Sequence, residues 1–248
     1  MKKALQTIGF MILITVVFIS ILAYVNESSR EQILQNLKLD EYKSILYAFQ
    51  ILPKGLNAPQ IGLTTPTSEL PWNNDEVLNV IDEQIIKKKI AITPEQRNLL
   101  KNSYLWWTDS IEVYIRQNSD GETVAYGFPL KGKGLWGTIT AFGVISADLK
   151  KMIGIDFTDQ VETPGLGARI MEQEFKSYFA NLDLSKFEDN SGKQSPIVMV
   201  RQKTTSNIEN STNELQAITG ATQTCNGVLA MLNTDIPFYL KVLASFRK

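Results

Sequence analysis

The sequence predicts an α+β fold, an antiparallel sheet with packed helices, preceded by one N-terminal transmembrane helix. Three observations predict it. Residues 4–25 are apolar and carry no charge, over about the length a helix needs to cross a bilayer. Beyond Ser103 the apolar residues alternate with period two in successive short runs. Further along the spacing becomes helical again. Strands followed by helices laid against them argue for α+β rather than a parallel α/β sheet.

The apolar stretch is interrupted only by Gln6, Thr7, Gly9, Thr15 and Ser20. It has no small-x-small pair before a cleavage point, so a retained anchor is expected rather than a cleaved signal. Lys2 and Lys3 precede it and Glu27, Arg30 and Glu31 follow, which places the N-terminus in the cytoplasm and the remainder outside it. For a bacterial inner membrane that side is the periplasm. Residues 26–50 continue in helical spacing through Ile33, Leu34, Leu37, Ile45, Leu46 and Phe49. Pro53, Gly55 and Pro59 break the pattern, and the chain to Pro71 has loop composition. Asn74 or Asp75 caps a helix through Val77, Leu78, Val80, Ile81 and Ile85, whose end reaches Lys87-Lys88-Lys89, a solvated helix face. Thr93-Pro94 opens another short helix.

Strands are expected at 111–116 and 123–128, joined by the turn Asn118-Ser119-Asp120-Gly121, and at 138–145 and 152–157. Gly127, Gly137 and Gly143 mark close backbone approach. A helix follows at 170–179, a strand at 196–200, a polar loop at 201–213 and a closing helix from Thr222 to Pro237.

Composition removes whole classes of chemistry. The 248 residues hold 25 basic and 26 acidic side chains without a long block of one sign, so nucleic acid has no electrostatic footprint here. There is no histidine, which excludes Ser-His-Asp and Cys-His catalysis, the H-E-x-x-H zinc site and His-ligated haem. The single Cys225 cannot build an iron–sulfur cluster, a C-x-x-C pair or an intrachain disulfide. No catalytic or metal-ligating set is expected. Redox chemistry would need an organic cofactor.

Two glycine-rich loops and one helix start remain as candidates. The loops are Lys131-Gly132-Lys133-Gly134-Leu135-Trp136-Gly137 and Glu162-Thr163-Pro164-Gly165-Leu166-Gly167. The helix start, within 216–228, carries Thr219, Gly220, Ala221, Thr222 and Thr224. Three hydroxyls at a helix N-terminus fit an ordinary threonine cap, and they also fit an anion held by free N–H groups and the dipole.

The Thr-Gly-Ala-Thr segment, the Glu-Thr-Pro-Gly-Leu-Gly loop and the N-terminal anchor together resemble the membrane-anchored, covalent FMN-binding subunits of respiratory sodium or proton pumps. Gly134-Leu135-Trp136-Gly137 and Ser44-Ile45-Leu46 are most similar to the C-type subunit of sodium-translocating NADH:quinone oxidoreductases, with the G-type subunit of Rnf complexes as the alternative. The resemblance implies FMN esterified through its phosphate to Thr222, with Thr224 and then Thr219 as alternative acceptors. It implies contacts to the flavin from Thr219, Gly220, Ala221, Thr224, Glu162, Thr163, Leu166, Gly167, Trp136 and Leu135. It also implies a flavin transferase for maturation, partner subunits of a membrane redox complex, and electron transfer rather than an independent substrate site. Where the family usually has an acidic residue, three positions before the first Thr/Ser, this chain has Gln216.

The organisation expected is therefore a transmembrane anchor at 1–26, a helical connecting region at 27–102 and the FMN-binding α+β domain at 103–248. Lys131 or Lys133, from their place in the loop, would favour anionic, reduced flavin and so raise its potential. A stand-alone exported carrier, or an assembly subunit that has kept the fold without a cofactor, are the competing readings.

Overall fold

The structure, a computed structural model, describes residues 2–56, 67–187, 197–200 and 213–247. The chain divides into two units, Met1–Asp40 and Glu41–Lys248.

The first unit is the greater part of helix α1 (Lys2–Ala48), which is long and apolar enough to cross a membrane and whose apolar stretch is unburied. The few hydroxyls in that stretch turn back on the helix. Thr7, Thr15 and Ser20 donate to the carbonyls of Lys3, Met11 and Val16 at 3.0, 2.8 and 2.7 Å. They therefore add no unpaired polar group to an apolar surface.

The second unit is built on a five-stranded antiparallel sheet in the order β1-β2-β3-β4-β5, each strand beside its sequence neighbour. The strands are β1 (Ile85–Ala91), β2 (Ser110–Gln117), β3 (Thr123–Lys133), β4 (Thr138–Ser146) and β5 (Met152–Asp159). The expected α+β class and both hairpins are present. One face of the sheet receives the long closing helix α5 (Thr222–Phe246). Phe128 of β3 and Tyr239 of α5 stack at 4.0 Å, and the Tyr239 hydroxyl donates to Pro129 O at 2.7 Å. Gly132 allows the close approach, since a Cβ there would lie 2.7 Å from Met231 Cβ. The last turns of α1 belong to this unit. Phe49 meets Phe142, whose ring meets Tyr114 edge-on at 5.1 Å, and Gly127 leaves the space that both Phe rings fill.

A buried ion pair ties this end of α1 to the sheet. Lys176 Nζ lies 2.8 Å from Asp156 Oδ1 and donates to Thr67 Oγ1 at 2.6 Å, and it sits over the Tyr47 ring at 4.4 Å. Burial raises the Asp156 carboxyl and lowers the Lys176 amine, each opposed by the other's charge.

Four expectations are corrected. The lysine run is not on a helix: Lys87, Lys88 and Lys89 lie in β1, because α2 (Asn74–Gln84, capped by Asn73) stops and the chain turns directly into the edge strand. Charge suits an edge, and Lys87 pairs with Glu112 across the ladder at 2.8 Å. β3 runs through Lys133, so Lys131 and Lys133 are strand residues and the turn is confined to 134–137. The helix expected at 170–179 is a 3-10 turn (Gly167–Met171) followed by the short α4 (Gln173–Ser177). Finally, α5 passes through Pro237 to Phe246. The proline forfeits one backbone bond, but Phe238, Tyr239, Val242 and Leu243 beyond it are buried, and that burial carries the helix on.

The helix α3 (Pro94–Arg97) starts as expected, with Thr93 and Gln96 forming a reciprocal capping box. Near the end of the chain, β6 (Val198–Val200) and β7 (Glu214–Gln216) pair in parallel. All of the expected loop at 201–213 except Asn213, together with Pro196 and Pro59, lies outside the described residues.

Candidate flavin site

Three segments meet at one end of the sheet: the β3–β4 turn, the loop after β5 and the first turn of α5. Glu162 joins them. Its carboxylate accepts from the Thr224 hydroxyl of α5 and from the Trp136 backbone N–H at 3.0 Å. Burial would raise the Glu162 carboxyl, but the hydrogen bonds from Thr224 and from the backbone of Trp136, Leu135 and Gly137 outweigh it and hold the group below its ordinary value. Glu162 is thus a buried, ionised anchor held by hydrogen bonds rather than by an ion pair among the described residues.

Glycines make room for that anchor. A Cβ at Gly134 would run into Glu162 Oε1, and one at Gly167 would lie 2.5 Å from Thr224 Oγ1 and 2.8 Å from Glu162 Cβ. At Gly227 a Cβ would overlap the Lys133 carbonyl oxygen, so α5 lies directly on the end of β3. Gly220 has φ 81°, a left-handed turn that brings the chain into the helix beside Leu166.

The hydroxyls separate cleanly. Thr224 is buried and bonded to Glu162, whereas Thr222, the first residue of α5, is exposed. The cap position is Ala221, whose side chain accepts nothing, so the threonine-cap reading is overturned and the start of α5 has no side-chain cap. Thr219 is exposed too, but it lines a small cavity of about 60 Å³ with Arg169, Glu172, Phe175, Tyr178 and Gln216. Arg169 is already paired there with Glu172 and Glu174.

The two loops joined to this helix start expose apolar side chains. Trp136 is 69% exposed, Val161 61%, Leu135 50% and Leu166 42%. The indole is fixed nevertheless, because its Nε1 donates to Thr163 Oγ1 at 3.1 Å. Thr163 O in turn accepts from Leu166 and Ala168 N–H, each at 3.1 Å, which closes the loop on itself.

The structure therefore gathers Leu135, Trp136, Glu162, Thr163, Leu166, Gly167, Thr219, Gly220, Ala221, Thr222 and Thr224 at one end of the fold. Val161 was missed; an apolar residue immediately before the Glu-Thr-Pro-Gly loop was its only signal.

This arrangement has known counterparts. Residues 134–236 match the FMN-binding domain. The resemblance read from the sequence is borne out by that match and by curated relatives. The chain is 32% identical over 129 residues to the C-type subunit of the Na(+)-translocating NADH-quinone reductase of Pasteurella multocida, over 52% of this chain and 45% of that one. It is 31% identical over 128 residues to the corresponding protein of Chlamydia pneumoniae, over 48% and 40%. The matched part thus spans less than half the length of these relatives. Among solved structures, Shewanella oneidensis NqrC superposes with a TM-score of 0.59 at 18% identity, over 84% of this chain and 98% of that one. The C-type subunit of the Na(+)-translocating NADH-quinone reductase from Parabacteroides distasonis gives 0.61 at 22%, over 86% and 96%. These two show the shared fold.

The residues present fit FMN. An exposed hydroxyl stands beside an uncapped helix start, which suits a phosphate, and a fixed indole with three aliphatic side chains suits a flat aromatic ring.

Proposed function

We propose that the chain is a membrane-anchored electron carrier holding FMN covalently through a phosphoester to Thr222, within an ion-translocating NADH:quinone oxidoreductase. The observation that carries this reading is the opposite fate of two neighbouring threonines: Thr224 is committed to Glu162, and Thr222 is left exposed at the helix start. FMN, when bound, supplies reversible one- and two-electron chemistry.

The chain's own residues would do the rest. The N–H groups of the first turn of α5 would hold the phosphate, and the helix dipole would favour its charge. Trp136, held by Thr163, and Leu135, Val161 and Leu166 would cover part of the ring and exclude water from it. Glu162, Gly167 and Thr224 keep the three segments in register. With no histidine in the chain and Glu162 ionised and buried, no side chain in this site is poised to hand over protons, in keeping with a carrier rather than a substrate-converting centre.

On this reading residues 1–26 are the anchor and 103–248 hold the flavin, on the periplasmic side of an inner membrane, since Lys2 and Lys3 precede the apolar stretch. A flavin transferase would attach the FMN, and other subunits of the complex would exchange electrons with it. Intact mass of the full chain, expressed with a competent transferase, tests the attachment. One FMN is expected on the wild type and none on Thr222→Ala; an FMN retained by that variant would move the assignment to another residue.

A further inference from the structure

On the same helix, 13 residues beyond Thr222 and roughly 20 Å along its axis, lies a group that the flavin site does not use. Asp235 is 0% exposed, and neither carboxylate oxygen has a hydrogen-bond partner among the described residues. The Ser103 hydroxyl and the Lys131 backbone N–H face it and favour its charge without closing a bond. A buried carboxylate without a partner is costly and calls for one.

Asp235 lines a cavity of about 120 Å³ together with Asn102, Ser103, Thr234 and the Lys131–Lys133 stretch of β3. That end of β3 lies beyond its pairing with β2, which reaches only to Gly127, so its backbone groups on this side are free of the ladder. Lys131 and Lys133 offer backbone here rather than charge. Gly132, between them, packs on Met231 of α5, and strand alternation sends the two lysine side chains to the other face, where they are exposed. The other titratable side chains about the carboxylate are Tyr104, beside the cavity, and Tyr239 of α5. Neither is a cation.

We propose that this cavity binds one monovalent cation, with the Asp235 carboxylate as its charged ligand and the Ser103 and Thr234 hydroxyls, the Asn102 amide oxygen and β3 carbonyls as neutral ones. Oxygen donors suit a hard cation. The single carboxylate balances one charge, and no cluster of three acidic, His or Cys side chains that would hold a divalent metal occurs among the described residues. The inference is independent of whether FMN is attached.

The test uses the full chain in detergent at pH 8, well above the value of about 6 to which burial pushes this carboxyl. The probes are Na⁺ and K⁺, with choline holding ionic strength constant. Sodium-23 NMR is expected to show line broadening that saturates and is competed by K⁺, and the melting midpoint is expected to rise by about 2–4 °C in Na⁺ or K⁺ over choline. Asp235→Asn should abolish both effects. Thr234→Val, at the cavity wall, should weaken the broadening several-fold and serves if the first variant does not fold. Equal broadening in wild type and Asp235→Asn, or equal melting in sodium, potassium and choline, overturns the proposal and leaves the cavity to water.

Discussion

Thr224 donates its hydroxyl to the Glu162 carboxylate, a contact between the first turn of α5 and the loop after β5, residues far apart in sequence. Two positions along a helix is about 200° of rotation, so the partnership that turns Thr224 inward also turns Thr222 out. One threonine thus builds the site and leaves the other free. Thr224→Val keeps the volume but removes the donor, and it is expected to cost about 1–3 kcal/mol while covalent FMN on Thr222 is retained. Urea unfolding and intact mass on the same preparation would check both halves.

Glu162 makes stability depend on pH in a definite sense. Its folded pKa lies below the ordinary 4.5, so the folded state favours the ionised form. The stabilisation is therefore present above about pH 4.5 and is lost as pH falls through the lower folded value. The melting difference between wild type and Glu162→Gln should be largest near neutrality and shrink steadily as pH drops below 4.5. A difference that stays constant from pH 7 to the acid limit would mean that Glu162 acts through shape rather than charge.

Much of this was legible beforehand, for reasons that differ by element. The first hairpin showed itself by its alternation, and β4 and β5 by short apolar, β-branched runs in which most residues are buried. β1 did not, because three consecutive lysines erase alternation on an edge strand whose register is supplied by β2. Pro237 looked like a stop because the local cost of a proline is visible in sequence, whereas the burial of Phe238 and Tyr239 that offsets it is tertiary. The site segments could be picked out and the resemblance named Thr222, but spacing could not say that Thr224 is buried while Thr219 and Thr222 are exposed. That choice is made by Glu162, which no helix periodicity connects to Thr224.

Glycine at 227 is a packing requirement. A Cβ there overlaps a backbone carbonyl of β3, which cannot swing away as a side chain would. Gly227→Ala is expected to destabilise by about 1–3 kcal/mol and to push the start of α5 off the β3–β4 turn. Because Trp136 rides on that turn and is otherwise exposed, its fluorescence maximum in the flavin-free protein should shift with the helix. Gly9→Ala, with nothing within 4 Å of its Cβ position, is the matched control and should leave both quantities unchanged.

The Asp156–Lys176 pair is the clearest case of a buried charge kept by its partner. Both side chains are 1% exposed, and Lys176 also bonds Thr67, while Ser44 from the end of α1 faces Asp156. Removing only the cation strands a carboxylate in the core, so Lys176→Met should cost about 3–5 kcal/mol in denaturant unfolding at neutral pH. Protonation can relieve a stranded carboxylate, whereas it adds nothing to an intact pair. The deficit should therefore narrow as pH is lowered, and Asp156→Asn added to Lys176→Met should recover much of the loss at neutral pH. The double variant separates electrostatics from packing: if it is as unstable as Lys176→Met alone, the lysine matters for the volume of its stem over Tyr47 and not for its charge.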